Sequence, residues 1–358
     1  MPSLRTPFRR FVAIMPFLLA SVAACSKDVP SLPAITAAAH DSAWTAWKAT
    51  RAKWVLTPGR PLSYTGLRWL KPGPNTIGAD ASNDVLLQGR DAPVKLGVLT
   101  RDGTNISFEP AAGVAVTIDS LPAVAGHLRA DVDSGGASTV RAGSAGFRIM
   151  RRVDSVGVRT FDADRVTPEA AAKTIAPLSY FSIDMSWRVP GKLVPFAKPD
   201  TQAVPTSSGI PEVHIIIGRV AAIVGGAPVS LTAMVGTGPK DLYFTFSDET
   251  SGEETYGFRF LHAALDTATK IVTLDFNFAY NPDCAFSGFT TCPLPPTENR
   301  IPVKITAGEK IVVHIDGDSS HVARAKVLQN KVKAGIGAGV KASVRAKDQM
   351  APKAVVKP

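Results

Sequence analysis

Short runs of alternating apolar and polar residues, separated by turn residues, recur along most of this sequence. Successive side chains of a β-strand point to opposite faces of a sheet, so the pattern predicts strands with one buried face. The 29 Gly and 28 Pro supply turns, as in the K-P-G-P-N segment that ends at Asn75. With 3 Cys and 45% hydrophobic residues, the chain is neither a cysteine-stapled miniprotein nor disordered throughout. We therefore predict an all-β protein.

The length of 358 residues allows about two domains with separate cores. The strand pattern predicts a β-sandwich first and then a second antiparallel β-meander, which forms a barrel or a sandwich. We divide the chain into a signal peptide (1–24), a linker (25–39), a helix plus β-sandwich domain (40–165), a β-rich domain (166–315) and a basic tail (316–358).

An aromatic stripe predicts one helix before the first strands. The stripe consists of Trp44, Trp47, Arg51 and Trp54. This spacing places the four side chains on one helix face, and the predicted helix covers residues 41–55 with Asp41 or Ser42 as N-cap. Such a face normally docks on the domain that follows, so we expect a structural role for it.

The first 24 residues have the pattern of an export signal. Three arginines precede an apolar run from Phe11 to Ala24, which is too short to span a bilayer. The run ends in V-A-A-C at Cys25 and resembles the lipobox of bacterial lipoproteins, in which the cysteine is acylated and becomes the N-terminus. The alternative is an ordinary signal peptide followed by a chance cysteine.

The lipobox resemblance implies a protein held at a membrane by acyl groups on Cys25. Several acyl chains, at about 0.8 kcal/mol per buried methylene, give an essentially permanent anchor. Ser26 follows the cysteine, and a residue other than aspartate there usually accompanies the outer membrane in such lipoproteins. We therefore expect a cell-envelope location, on the outer membrane and facing the periplasm.

The formal net charge of +10 is concentrated at the two ends of the chain. The segment from Arg324 to Pro358 has nine basic residues and one acidic residue, and the signal peptide has three basic residues, so the body between them has a net charge of −1. A near-neutral body argues against nucleic-acid binding. The basic tail has few bulky apolar residues, which favours disorder. Adhesion of this tail to anionic lipid or an anionic envelope polymer is the alternative.

Four motifs in the second half of the chain form a local signature. They are T-S-G-E-E-T-Y at 250–256, D-F-N-F-A-Y-N-P at 275–282, C-P-L-P-P-T-E-N-R at 292–300 and A-G-E-K at 307–310. Together they resemble domain-of-unknown-function family 1684. With weaker similarity around Trp47 and between Gly66 and Gly78, the resemblance covers roughly residues 40–310. It implies no activity, so the residues themselves must be interpreted.

The signature contains a dense set of polar side chains. The candidate site residues are Asp248, Thr250, Glu254, Tyr256, Arg259, Asp275, Asn277, Tyr280, Asn281, Asn299 and Arg300. In a structural interpretation, which we favour, they satisfy backbone groups and pair with one another. In a functional interpretation they line a cleft for a polar ligand or metal.

Cys284 and Cys292 enclose seven residues in a protein that we expect to be exported. Thiols oxidise outside the cytoplasm, so we predict a disulfide worth about 2.5 kcal/mol that braces the proline-rich loop. A catalytic thiol is not expected, because no histidine lies near either cysteine in the sequence.

No nucleotide, zinc or serine-hydrolase motif occurs, and we predict neither a cofactor nor a metal. A binding or structural module is therefore the leading hypothesis. The alternative is a hydrolase that uses Asp248 or Glu254 as acid or base and Arg259 or Arg300 to hold an anion.

The first β-domain resembles a degenerate forkhead-associated sandwich. The similarity consists of W-L-K-P-G at 69–73, T-I-G at 76–78 and N-D-V-L-L at 83–87. The family's phosphothreonine-reading residues are not present, because Ala79 follows Gly78 and V-K-L-G at 94–97 replaces the Ser and His. The resemblance therefore implies a fold and no phosphopeptide binding.

Overall fold

The computed structural model describes residues 31–317 and 320–333. The predicted signal peptide, the lipobox with Cys25 and residues 334–358 of the basic tail lie outside the described residues. Within the described part of the chain, no helix combines the length and the apolar character needed to cross a membrane.

Two β-units and three α-helices make up the described chain. The helices are α1 (Ala37–Val55), α2 (Pro168–Ala171) and α3 (Ser320–Lys333). The strands are β1 (Tyr64–Trp69), β2 (Gly73–Gly78), β3 (Val85–Leu86), β4 (Gly97–Asp102), β5 (Asn105–Pro110), β6 (Thr117–Ile118), β7 (Leu121–Pro122), β8 (Gly126–His127), β9 (Thr139–Ala142), β10 (Ala145–Arg152), β11 (Ser155–Asp162), β12 (Arg188–Val204), β13 (Glu212–Val224), β14 (Ala227–Val235), β15 (Asp241–Phe246), β16 (Arg259–Leu265) and β17 (Ile271–Asp275). The prediction of an all-β fold with an N-terminal helix is confirmed.

The first unit is a β-sandwich. One sheet has the order β1-β11-β10-β9-β6-β7 and the other β3-β2-β4-β5-β8. Strand β5 shows the predicted alternation of buried and exposed side chains, because Ile106 and Phe108 are buried and their neighbours are exposed. Gly103 has φ of +59° in the β4–β5 turn, a conformation that glycine adopts without a Cβ clash. The inward faces of both sheets form one apolar core.

The second unit is a closed six-stranded barrel of β12 to β17. Each strand pairs with the next one in sequence, and β12 pairs with β17 to close the sheet. The predicted meander is therefore a barrel rather than a sandwich. Closure satisfies the backbone groups that the two edge strands would otherwise expose. The barrel core includes Phe244, Leu261 and Phe276, all with 0% exposure.

Helix α1 begins earlier than predicted and docks on the barrel. Its N-cap is Thr36, whose hydroxyl accepts a hydrogen bond from Ala39 N at 3.2 Å, so the predicted caps at Asp41 and Ser42 are wrong. The indole N–H of Trp44 donates to the backbone carbonyl of Asn277 at 3.2 Å. The predicted 40–165 domain therefore needs correction, because α1 packs with the second unit.

The predicted disorder of the tail is wrong for its first part. Residues 320–333 form α3, in which Leu328 and Val332 are 2% and 4% exposed. These side chains, four residues apart, lie on one helix face, and Leu328 joins the apolar cluster beside the signature loops. Gln329 donates a hydrogen bond to the carbonyl of Ser251. This apolar contact offsets the entropy cost on which the prediction of disorder rested.

Candidate functional site

A cavity of about 570 Å³ lies where α1, the sandwich and the barrel meet. Helix α1 contributes Trp47, Arg51 and Trp54, and the sandwich contributes Arg152 and Arg159. The remaining walls come from the barrel and the cysteine-containing loop that follows it. The size is that of an ordinary small-molecule site, and the position between units is typical of such sites.

The three arginines of the cavity wall differ in whether a carboxylate forms an ion pair with them. Arg51 Nε donates to Glu309 Oε1 at 2.8 Å, and Arg152 Nη1 donates to Asp131 Oδ2 at 2.7 Å. Arg159 has no carboxylate within ion-pair distance in the described part of the chain. Its Nε donates to the carbonyl of Phe289 at 2.9 Å. Among the described residues, Arg159 is therefore the cavity arginine that forms no ion pair with a carboxylate.

A row of aromatic and imidazole rings forms the barrel side of the cavity. Tyr243 and His262 face each other across β15 and β16, with ring centroids 5.1 Å apart. His214 stacks near Tyr243 at 6.3 Å, and Tyr280 lies parallel to His262 at 6.1 Å. The cavity therefore presents flat, partly polar surfaces against which a planar molecule can pack.

His262 is fixed in orientation by a carboxylate. Its Nδ1 lies 2.8 Å from Asp241 Oδ2, and Asp241 also accepts hydrogen bonds from the backbone N–H and the hydroxyl of Thr237. A carboxylate on Nδ1 favours the tautomer with the proton on that nitrogen and leaves Nε2 as an acceptor. The His262 side chain is 38% exposed, so this nitrogen can reach solvent or a ligand.

Two carboxyl groups of the cavity have perturbed proton affinity. Burial raises the pKa of Asp283, while the charges of Arg51, Arg159 and Arg60 oppose that rise. Burial likewise raises the pKa of Glu212. Among the described residues, no hydrogen bond or ion pair reaches the Asp283 carboxylate. Asp283 is therefore an unpaired acidic group in a cavity wall.

His214 is a second cavity side chain with an unsatisfied polar group. Burial, and then the charge of Arg152, lower its pKa to about 4, so the ring is neutral near pH 7. Its Nε2 is buried without a hydrogen bond and lies 3.8 Å from Glu212 Oε1, too far for one. Since buried polar atoms are normally satisfied, this atom indicates a place that a ligand or a water fills.

Most of the predicted polar set lies elsewhere, in buried scaffold networks. Asp248 and Arg259 form an ion pair at 3.2 Å with both side chains at 0% exposure. Asp248 also accepts hydrogen bonds from Ile305 N at 2.8 Å and from the Thr250 hydroxyl at 3.0 Å. Arg259 donates its remaining bonds to backbone carbonyls, one of them that of Ala307. These residues brace the loop after the barrel and touch no open space.

A second network fastens α1 to the signature. Glu309 Oε2 accepts from the N–H of Asn281 at 2.8 Å, while Glu309 Oε1 pairs with Arg51. The side-chain amide of Asn281 donates to the Lys310 carbonyl at 2.7 Å. Gly308, with φ of +79°, lies so close to Ala279 that a Cβ would meet the Ala279 carbonyl oxygen at 2.4 Å. The A-G-E-K motif is thus explained by packing.

Three further candidates cap or bridge backbone segments. Asp275 pairs with His40 of α1 at 2.7 Å and accepts from the N–H of Asn277 at 3.2 Å. Asn299 accepts from Thr232 N at 2.6 Å and donates to the Thr245 carbonyl at 2.9 Å.

The other candidates separate into buried, exposed and cavity-lining residues. The Tyr256 hydroxyl donates to the Cys284 carbonyl at 3.1 Å and is buried. Glu254 and Arg300 are exposed. Of the eleven predicted residues, Tyr280 lines the cavity. The four groups required by the hydrolase hypothesis therefore do not surround an open pocket.

The two signature cysteines are adjacent but carry free thiols in this structure. The N–H of Cys284 lies 3.1 Å from Cys292 Sγ, and both side chains are buried. The expected bridge is therefore not formed here, although the chain brings the pair together. Burial raises the pKa of the Cys292 thiol, which argues against a thiolate nucleophile. Within the described residues, no three His, Cys, Asp or Glu side chains converge as metal ligands.

Sequence reasoning missed most of the cavity, because its walls come from segments far apart in the chain. Arg152 and Arg159 are ordinary strand residues by pattern, and His214 and His262 are isolated histidines. The one available signal was the helix stripe, since Trp47, Arg51 and Trp54 all line the cavity. The stripe thus lines the cavity in addition to docking α1 on the barrel.

Comparison with known proteins supports the family resemblance of the signature but indicates no function. Residues 173–310 match the model of the family described as "Protein of unknown function (DUF1684)". This match confirms the predicted resemblance for the barrel and its signature loops, while the weaker similarity expected from residue 40 onward lies outside it. Among curated proteins, none is significantly similar to this chain.

Two solved structures are similar to parts of the chain. An uncharacterised protein of Haloarcula marismortui, solved by NMR, is 29% identical, with 40% of this chain and 80% of that chain covered and a TM-score of 0.34. The FhaA FHA domain, crystallised with the intracellular domain of another protein, is 14% identical, with 26% and 96% covered and a TM-score of 0.19. Neither similarity is close enough to transfer a function.

Some residues that line the cavity belong to the segment that matches the family, and others lie outside it. All three arginines of the wall, at positions 51, 152 and 159, come from outside the matched segment. The two carboxylates, Glu212 and Asp283, come from inside it. The N-terminal half of the chain therefore completes the cavity and supplies its cationic side.

Proposed function

We propose that this protein is a lipid-anchored protein of the cell envelope that binds a small organic ligand in the cavity between its units. One observation carries the binding proposal: the cavity wall contains the buried, unpaired Nε2 of His214 and the unpaired carboxylate of Asp283. Buried polar atoms without a partner cost free energy unless a ligand or water satisfies them.

Binding agrees with the geometry better than the hydrolase alternative. Asp248 and Arg259 are consumed in an internal ion pair, so they cannot act as acid and anion holder. The cavity instead combines aromatic surface with a few fixed polar groups, which is the usual composition of a ligand site.

The anchor is supported by the sequence around Cys25, and it gives a location facing the periplasm from the outer membrane. Radiolabelled palmitate should enter the wild-type protein and not a Cys25→Ala variant. Equal labelling of the two proteins would refute the anchor.

The basic tail adds a second membrane contact in this proposal. On α3, Lys326 and Lys331 are exposed while Leu328 and Val332 are buried, so basic side chains point away from the body. Cations near an anionic lipid surface or envelope polymer each contribute up to about 1 kcal/mol before screening. Deleting residues 334–358 together with Lys326→Gln and Lys331→Gln, which keep the buried face of α3, should weaken binding to phosphatidylglycerol vesicles at low salt, and unchanged binding would reject this contact.

The cavity is tested with a blocked variant and a matched control. Val235 lines the cavity and is 38% exposed, so Val235→Trp should fill part of the cavity without disturbing the core. Val194 is also an exposed strand valine, at 57%, but lies away from the cavity.

The readout is saturation-transfer NMR of the full chain in detergent with phenylacetate, phenylacetamide and phenethylamine. At least one probe should bind wild type and Val194→Trp but not Val235→Trp. Absence of binding by all three probes, or equal binding to both tryptophan variants, would overturn the proposed ligand site.

A further inference from the structure

We propose that the ligand is a planar organic anion whose charged group pairs with Arg159 while its ring packs against the aromatic lining of the cavity. This inference rests on the proposed ligand site and names the chemical class that the site accepts. It commits to an anion, and neutral or cationic ligands are outcomes that would refute it.

The charge argument begins with the arginines. Glu309 neutralises Arg51 at 2.8 Å, and Asp131 and Glu212 neutralise Arg152 at 2.7 and 3.2 Å. Arg159 has no such carboxylate among the described residues. Its guanidinium carbon lies 4.9 Å from the centre of the Tyr64 ring, and its Nε–H donates a hydrogen bond to the backbone carbonyl of Phe289. The remaining N–H groups can form charge-assisted hydrogen bonds to an anion.

The aromatic residues argue against a cationic ligand. Arg51 already occupies the cation–π positions, because its guanidinium carbon lies 4.5 Å from the Trp54 ring centre and 4.9 Å from that of Tyr280. Arg60 takes a further position, 5.2 Å from the Trp54 ring. A second cation at these rings would meet two guanidinium charges at close range. A flat ring can still stack on the guanidinium plane or on the exposed ring surfaces.

The acidic residues of the cavity do not oppose an anion. Glu212 is paired with Arg152. Asp283 is half-buried and interacts with the charges of Arg51, Arg159 and Arg60, so three cations surround this one carboxyl group. The cations around Asp283 therefore outnumber its possible negative charge, and an anionic ligand still meets a net positive wall.

The experiment compares probes that share a ring and differ in charge. Phenylacetate, phenylacetamide and phenethylamine are titrated by isothermal calorimetry into the full chain in detergent, with cyclohexylacetate as a non-planar anion. Phenylacetate should bind more tightly than the other three. Tighter binding of phenethylamine or phenylacetamide, with Val235→Trp still blocking it, would refute the anion proposal and leave the ligand site intact.

Variants identify the group that pairs with the anion. Arg159→Gln should weaken phenylacetate binding by about tenfold to hundredfold, the loss of one charge-assisted interaction, while Arg159→Lys restores part of it. Arg141→Gln is the matched control, because Arg141 also lies over an aromatic ring, 5.7 Å from the centre of Phe161, without lining the cavity.

Asp283→Asn tests whether the Asp283 carboxylate, rather than Arg159, determines which charge the ligand carries. The substitution keeps the shape of the side chain and removes the carboxylate. It should leave phenylacetate binding unchanged or tighter. Phenylacetate binding that is insensitive to Arg159→Gln, or abolished by Asp283→Asn, would overturn the assignment of Arg159 as the anion-binding group.

Discussion

Removing the Asp248 carboxylate should unfold the barrel unit at much lower denaturant concentration, and this is the sharpest test of the scaffold interpretation. Asp248→Ala leaves the Arg259 guanidinium, which is 0% exposed, without a counter-ion. It also frees the N–H of Ile305 and the Thr250 hydroxyl, which Asp248 binds at 2.8 and 3.0 Å. Breaking a buried pair in this way costs about 3–5 kcal/mol, a large share of the roughly 5–15 kcal/mol that stabilises a typical domain.

The second variant separates the loss of the pair from the loss of one residue. Arg259→Met in the Asp248→Ala background removes the uncompensated charge and fills the space with an apolar chain. The double variant should therefore be more stable than Asp248→Ala alone.

Urea unfolding of the full chain, followed by tryptophan fluorescence, measures these differences. Asp164→Ala is the control, because Asp164 pairs with Arg90 on the exposed surface of the sandwich, and we expect essentially no change there. The scaffold interpretation is refuted if Asp248→Ala unfolds within about 1 kcal/mol of wild type, since a pair that weak would not be bracing the loop.

Three further predictions concern a histidine, the cysteine pair and α3. Burial lowers the pKa of His214 from 6.5 to about 4, so the unfolded state binds more protons between these values; the free energy of unfolding should fall on the order of 3 kcal/mol as pH drops through this window, and His214→Phe should flatten that slope in urea titrations. Oxidised protein should contain a Cys284–Cys292 disulfide, and its free energy of unfolding in urea should be about 2.5 kcal/mol higher than that of reduced protein. The stability of Cys292→Ser should not change when dithiothreitol is added. Leu328→Ala should cost about 2 kcal/mol or more and raise hydrogen exchange in α3, while Val327→Ala, at an exposed position, should leave exchange unchanged.

The strands were predictable because burial on one face leaves a period of two in the sequence. In β5, the pattern of Ile106 and Phe108 is visible without any tertiary information. Barrel closure was not predictable in this way, since the pairing of Arg188 with Asp275 joins residues far apart in the chain. Local alternation identifies a strand but not its partners.

The two ends of the described chain show where composition misleads. Asp41 and Ser42 are good N-cap residues, yet Thr36 caps α1 because three alanines after it extend the helix at little cost. The tail is basic on average, yet it contains Leu328 and Val332, which are four residues apart and buried on one face of α3. In both cases a few side chains outweigh the average of the segment.

The candidate site shows why a dense polar motif and a ligand site need not coincide. Loops without ladder hydrogen bonds must satisfy their buried backbone groups with side chains, so they accumulate residues such as Asp248, Asn281 and Asn299. The structure gives these side chains internal partners. The cavity side chains that such networks do not fully satisfy are Arg159, which has no ion pair, His214 and Asp283, and they come from three strands or loops with no common motif. A functional assignment for this fold should therefore follow the unpaired groups around the cavity and not the signature that defines the family match.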